Sequence, residues 1–198
     1  MAVYVSGDDL RADLGLDAKY AAATQRAVEA ISQLVDDVTG TTFMSSAATA
    51  YQFDARLSYQ LSIPWCTSVS SVATDRDGDG VFETVWSGSD YLLKPYNQSG
   101  KNLIIAKPRT GKYFPTRVCP GVEVTAVWGW CSLPPATIVE AVFLGGRRLF
   151  KRKDAIFGVQ GGGDLGILTA QVQSLRQDPD FMTLISTGPW RNTYGGAL

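Results

Sequence analysis

Between residues 121 and 154 the chain changes its hydrophobic period. Val122, Val124, Ala126 and Trp128 alternate with Glu123, Thr125 and Val127, the two-residue repeat of a half-buried strand that ends at the Gly129-Trp130 turn. From Ile138 the apolar residues Val139, Ala141, Val142, Phe143, Leu144, Leu149 and Phe150 cover more than one helix face, which predicts burial on two sides. Pro134 and Pro135 set the entry, because a first helical turn has no use for the N–H that proline lacks. Arg147, Arg148, Lys151, Arg152 and Lys153 close the helix, where the macrodipole favours cations. Gly145 and Gly146 inside it each cost about 1 kcal/mol relative to alanine. Their presence predicts close helix approach there, within the subunit or across an assembly.

The same reading applies upstream and downstream. Ser6-Gly7-Asp8-Asp9 reads as a capping box that opens a short helix with Leu10 and Leu14 one turn apart, stopped at Gly15. Asp17 is the predicted N-cap of a longer helix, on which Tyr20, Thr24, Ala27, Ile31, Leu34 and Val38 recur at helical spacing until Gly40. This one-faced helix needs a partner, and the helix beginning near Ala136 is the expected one. Between them lie short strand-like runs at 50–53, 61–63, 69–74, 81–86, 91–94, 103–106 and 122–130, separated by Gly, Pro, Asn, Asp and Ser. The predicted class is α+β: a helical bundle built from N- and C-terminal helices, with an inserted antiparallel β-sheet or small sandwich. The organisation expected is N-terminal helices at 1–40, a β region at 41–131, a central core helix at 132–154, and a glycine-rich loop, C-terminal helix and tail at 155–198, all within one structural domain. Asp178-Pro179-Asp180 caps the last helix, and Trp190 and Tyr194 are amphipathic anchors in the tail.

Composition narrows the function classes. With 198 residues, 45% hydrophobic content and a formal net charge of -1, the chain suits a globular fold with neither an acidic nor a basic bias. No apolar run approaches the roughly 20 residues needed to span a bilayer, and the N-terminus lacks a signal-peptide pattern, so synthesis and retention in a cytosol are expected. Cys66, Cys119 and Cys131 are odd in number and lack C-x-x-C spacing; they read as small buried hydrophobes. Histidine is absent. That removes Ser-His-Asp and Cys-His catalysis and histidine metal ligands together. Nor do the scattered carboxylates show spacing that pairs two on one face beside a nucleophile. A non-enzymatic protein without cofactors is expected.

Three stretches carry possible contacts. Asp75, Asp77 and Asp79 with Gly80 match the start of an EF-hand calcium loop, but position twelve is Trp86 where a bidentate glutamate belongs. The competing reading is a polar hairpin connection with Asp-Gly turns. The cations Arg147, Arg148, Lys151, Arg152 and Lys153 could touch phosphates or a neighbouring subunit, or simply form a solvated helix end. Lys107-Pro108-Arg109-Thr110-Gly111-Lys112 is a basic turn, read as an exposed hairpin tip or a contact to a neighbouring subunit. Gly161 to Gly163 fit neither phosphate-binding glycine motif.

The order strand, aromatic-Gly-aromatic turn, proline, long apolar helix, basic end and then Asp154-Ala155-Ile156-Phe157-Gly158-Val159 resembles the head-to-tail adaptor (connector) proteins of long-tailed bacteriophages. Leu61-Ser62-Ile63-Pro64 with Ser68-Val69-Ser70-Ser71-Val72 resembles the family's L-x-L-P and S-V-x-x-V segments, and Asp90-Tyr91-Leu92-Leu93 its D-Y-x-L. The chain departs from the pattern at Lys107-Pro108, where tryptophan before proline is commoner. The resemblance implies a structural virion protein: a homo-oligomeric, dodecameric ring at the neck, made in the bacterial host cytoplasm, with no membrane partner. It implies the portal protein on one side, a head-closure or stopper protein on the other, and at most non-specific contact with DNA in the channel. By that analogy Phe181, Leu184, Ile185, Trp190, Arg191 and Tyr194 face the portal, Arg147, Arg148, Lys151, Arg152 and Lys153 supply channel or subunit contacts, and the sheet forms contacts with neighbouring copies. Two alternatives stand beside it: a calcium-assisted β-rich binding module, and another neck or tail component such as a stopper or terminator.

Overall fold

The computed structural model describes residues 2–152 and 175–190. The glycine-rich loop, Lys153, Arg191 and Tyr194 lie outside the described residues. The fold is α+β, with four α-helices and a six-stranded antiparallel sheet among the described residues. It comprises two compact units: a sheet unit, Thr41–Pro134, and a helical unit from the segments on either side.

In the helical unit, α1 (Gly7–Asp13) starts with the expected capping box, Ser6 Oγ accepting from the Asp9 N–H at 3.0 Å. Asp17 corrects an expectation. It makes no capping bond, because a 3-10 turn, Ala18–Tyr20, comes between it and α2 (Ala21–Thr39). Gly40 ends α2 in the left-handed conformation at φ 62°, which costs a glycine nothing sterically. The buried stripe of α2 is Thr24, Ala27, Val28, Ile31, Ser32 and Val35; Leu34 and Val38 are only half-buried. Its partner is α3 (Ala136–Arg152), which packs also against α1 and α4 (Pro179–Ser186). Ile138, Ala141 and Val142 of α3 are fully buried, as expected of a core helix. The two glycines have their explanation here. A Cβ on Gly145 would lie 2.8 Å from Ile31 Cγ2 of α2, and one on Gly146 2.8 Å from Leu10 Cδ2 of α1, so both permit close approach within the subunit.

The sheet runs in the order β1 (Ala48–Phe53), β6 (Val122–Trp128), β2 (Gln60–Thr74), β5 (Lys101–Ala106), β4 (Tyr91–Lys94), with β3 (Thr84–Trp86) paired to the far end of β2. The expected runs at 61–63 and 69–74 are one 15-residue strand. Its first part pairs with β5 and its second with β6, and register shifts fall between Ser62 and Cys66, Cys66 and Ser68, and Val69 and Ser71. Pro64 falls in the first of these, where a residue without N–H breaks no ladder. The shift after Val69 lets Val69 and Val72, three apart, both meet the core. β5 and β6 alternate buried and half-buried along their length, the signature of a sheet with one face inward. Phe114 stacks on Trp86 with ring centroids 4.6 Å apart. Each such fully buried ring contributes on the order of 2 kcal/mol by leaving water. Asp90 accepts from the Ser87 N–H at 2.8 Å, and its carbonyl from the Lys107 N–H at 2.8 Å; the aspartate before Tyr91 is thus a turn-closing residue.

The ends of the sheet unit lie side by side. Trp130 N–H donates to Thr42 O at 2.9 Å and Cys131 N–H to Phe43 O at 3.1 Å. An insertion between α2 and α3 enters and leaves at one place.

Candidate partner-binding surfaces

The acidic loop is a hairpin connection between β2 and β3. Asp75, only 1% exposed, closes it: Oδ1 accepts from the Gly78 N–H at 2.7 Å and Oδ2 from the Gly80 N–H at 2.9 Å. Gly78, at φ 84°, and Gly80, at φ 88°, hold the left-handed conformations that bring those N–H groups round. The bond from Gly78 outweighs burial and, with that from Gly80, holds the Asp75 carboxyl below the usual carboxylate range. Asp79 is turned away, its Oδ1 accepting from the Val81 N–H at 2.8 Å. The carboxylates that converge are those of Asp75, Asp77 and Glu83, within 4.8 Å of one another. Sequence reasoning missed Glu83, because it lay in an expected strand rather than in the loop. Calcium takes six to eight oxygens, and three carboxylates, one already accepting two N–H groups, are a partial set.

Two cations at the basic end of α3, Arg147 and Arg148, are consumed in the fold. Arg147 forms a two-pronged contact with Asp13, Nε to Oδ2 at 2.6 Å and Nη2 to Oδ1 at 2.8 Å, and reaches Glu140 at 3.1 Å. Its bond to Asp13 lowers that carboxyl's pKa and raises that of the guanidinium. Arg148 is ion-paired with the buried Asp178 and reaches Asp180 at 3.3 Å. Asp178 also caps α4, accepting from the Asp180 and Phe181 N–H groups. Arg147 and Arg148 therefore tie α3 to α1 and α4, and neither projects as a free cation. Lys151 and Arg152 continue the helical backbone.

The expected portal-facing residues divide the same way. Phe181, Ile185 and Trp190 are buried, and Trp190 donates its indole N–H to Ile185 O at 3.0 Å. They are interior packing of the helical unit, because α4 lays its apolar side on α3. Leu184 is half-exposed. The cysteines also split: Cys66 is buried, Cys131 half-buried and Cys119 exposed, so the expectation of three buried hydrophobes holds for Cys66 alone.

An exposed patch lies on the sheet unit, around the basic turn. Arg76 places its guanidinium 4.4 Å from the centre of the Tyr113 ring and donates to Gly111 O at 3.4 Å. Lys112 Nζ donates to Val85 O at 3.1 Å, and Phe114 N–H to Ser58 O at 2.8 Å. Three stretches far apart in sequence thus bring Val85 and Tyr113, both exposed, beside Arg76 and Lys112, with the exposed Leu57 and Tyr59 flanking Ser58. Sequence reading found the turn but not its neighbours, which only the sheet brings together.

No family profile matches the sequence, and a search of curated proteins finds no match. Solved structures do share the fold. A chain in the neck of a native GTA particle, computed with C12 symmetry, superposes with a TM-score of 0.60 at 18% identity, over 100% of this chain and 94% of that one. A chain in the neck of an empty GTA particle, computed with C6 symmetry, gives 0.62 at 19%, over 100% and 95%. A chain in the virion of a native gene transfer agent particle gives 0.57 at 19%, over 100% and 95%.

Proposed function

We propose that this chain is a structural component of a phage-like virion neck, a head-to-tail adaptor that assembles as a ring around the DNA channel. The observation that carries the reading is the end-to-end fold similarity to chains of C12- and C6-symmetric necks. The adaptor-like segments agree with it, being packing devices: Leu61 and Ile63 in the core, Pro64 at an irregularity, Asp90 closing a turn. So does the absence of histidine. No helix among the described residues is long and apolar enough to cross a membrane. On this reading the portal protein lies on one side of the ring and a head-closure or stopper protein on the other. Leu184 with residues 191–198 faces the portal, and Lys151, Arg152 and Lys153 supply non-specific channel or subunit contacts.

Mass photometry and negative-stain imaging of the purified protein, alone and with its portal protein, test this. Rings are expected, with portal binding weakened by removing residues 191–198. Trp190 must be kept, since it is buried against α4. A chain that stays monomeric and ignores the portal protein rules the reading out.

A further inference from the structure

We propose that the patch around the basic turn is the lateral contact between copies of this chain, and that it receives the acidic N-terminal helical face of the next copy. The inference rests on the ring reading.

The turn is unusual in its backbone. Lys107-Pro108-Arg109-Thr110 has proline at the second position and Arg109 at the third with φ 71°, where a turn of this kind ordinarily takes glycine. Thr110 Oγ locks it by donating to Lys107 O at 2.9 Å. Placing a long cationic side chain in the left-handed region is costly, and the exposed Arg109 makes no ion pair among the described residues. A conformation that opposes a residue's preference and aims it at solvent points to a use outside the subunit.

The surroundings define the partner's chemistry. Residues 107–121 carry four cations and no carboxylate, with Asp90 as the acidic neighbour of Lys107 and Lys112. Beside them Val85 is 61% and Tyr113 47% exposed. Arginine and tyrosine next to exposed aliphatics are what a protein partner buries at the centre of an interface. A duplex phosphate backbone has no use for the exposed apolar residues. The matching surface is on this chain. Its first 40 residues hold seven carboxylates against three cations. Asp8 and Asp9 are exposed on α1, Asp8 pairing with Arg11 at 3.2 Å and Asp9 accepting from the Ser6 hydroxyl at 2.7 Å, and Gln25 links that helix to Glu29 by accepting from the Gly7 N–H at 3.0 Å and donating to Glu29 at 2.8 Å. A closed ring needs two different, complementary patches on each copy. A basic apolar tip and an acidic helical face meet that requirement, with the charges setting register and orientation.

A charge swap tests it, read by mass photometry alone and with the portal protein. Arg109→Glu/Lys112→Glu is expected to reduce the assembled fraction at least tenfold, and so is Asp8→Lys/Asp9→Lys. Mixing the two variants should restore assembly, as should the chain carrying all four substitutions. Far-ultraviolet circular dichroism of each variant establishes folding. If either reversed variant assembles like wild type, or if the mixture stays monomeric, the lateral contact is elsewhere. Intact rings whose affinity for duplex DNA falls with Arg109→Glu would also overturn the inference, assigning the patch to phosphate. Chains or dimers that obey the swap without closing into rings would keep the contact and refute the ring. No self-association under any condition would refute both.

Discussion

Burial removes the Cys66 thiol from water and pushes its pKa up to about 12, with Lys101 opposing only in part. The thiolate is the reactive form, so at pH 8 Cys66 should alkylate at least roughly a hundredfold more slowly than an ordinary thiol of pKa about 8.5. Cys119 is exposed. Iodoacetamide followed by peptide mass spectrometry should therefore find Cys119 modified first and Cys66 modified only when the sheet unfolds; equal rates would mean the core opens readily. A cysteine's burial cannot be read from its spacing, which is why the three looked alike in sequence. The same limit applies to Arg147 and Arg148. Their position at a helix end was legible, but their partners Asp13 and Asp178 are 134 and 30 residues away in the chain, and only packing brings them near.

Helices were the most legible elements because their signals are local. The serine cap of α1, the aspartate cap of α4 and the prolines before α3 act within one turn of chain, and each helix occurs where its cap and period place it. The glycine pair in α3 was legible as a sign of close packing, though not of which helix it meets. Gly145→Ala would gain about 1 kcal/mol of helix propensity and force a Cβ against Ile31, which is 3% exposed and has a stiff, branched side chain. Overpacking costs typically about 1–3 kcal/mol. A net loss on the order of 1 kcal/mol is expected in chemical denaturation, and a stabilised variant would show that the helices are free to separate. Strands were less legible. β2 breaks its own alternation at three places, so its one continuous path appeared in the sequence as two separate strands.

At the scale of the molecule, the sheet unit has a core of its own, from Ala55 and Leu61 to Ala126 and Trp128, and its two ends are hydrogen-bonded to each other. Residues 41–134 expressed alone should therefore fold, with a cooperative thermal transition and dispersed amide resonances; a disordered spectrum would mean the sheet depends on the helices. Strand order explains why this insertion could be foreseen but not drawn. β6 pairs with both β1 and β2 across long stretches of chain, and pairing at such separation leaves no trace in local periodicity. The sequence by itself determined the α+β class, the caps of α1 and α4 and the absence of histidine chemistry, since caps and composition act over a few residues. Tertiary structure alone decided that Phe181, Ile185 and Trp190 are interior, that Arg147 and Arg148 are paired, and that Arg76, Val85, Lys112 and Tyr113 share one surface. Those outcomes depend on which distant side chains exclude water from one another, a property of the packed chain that no local pattern encodes.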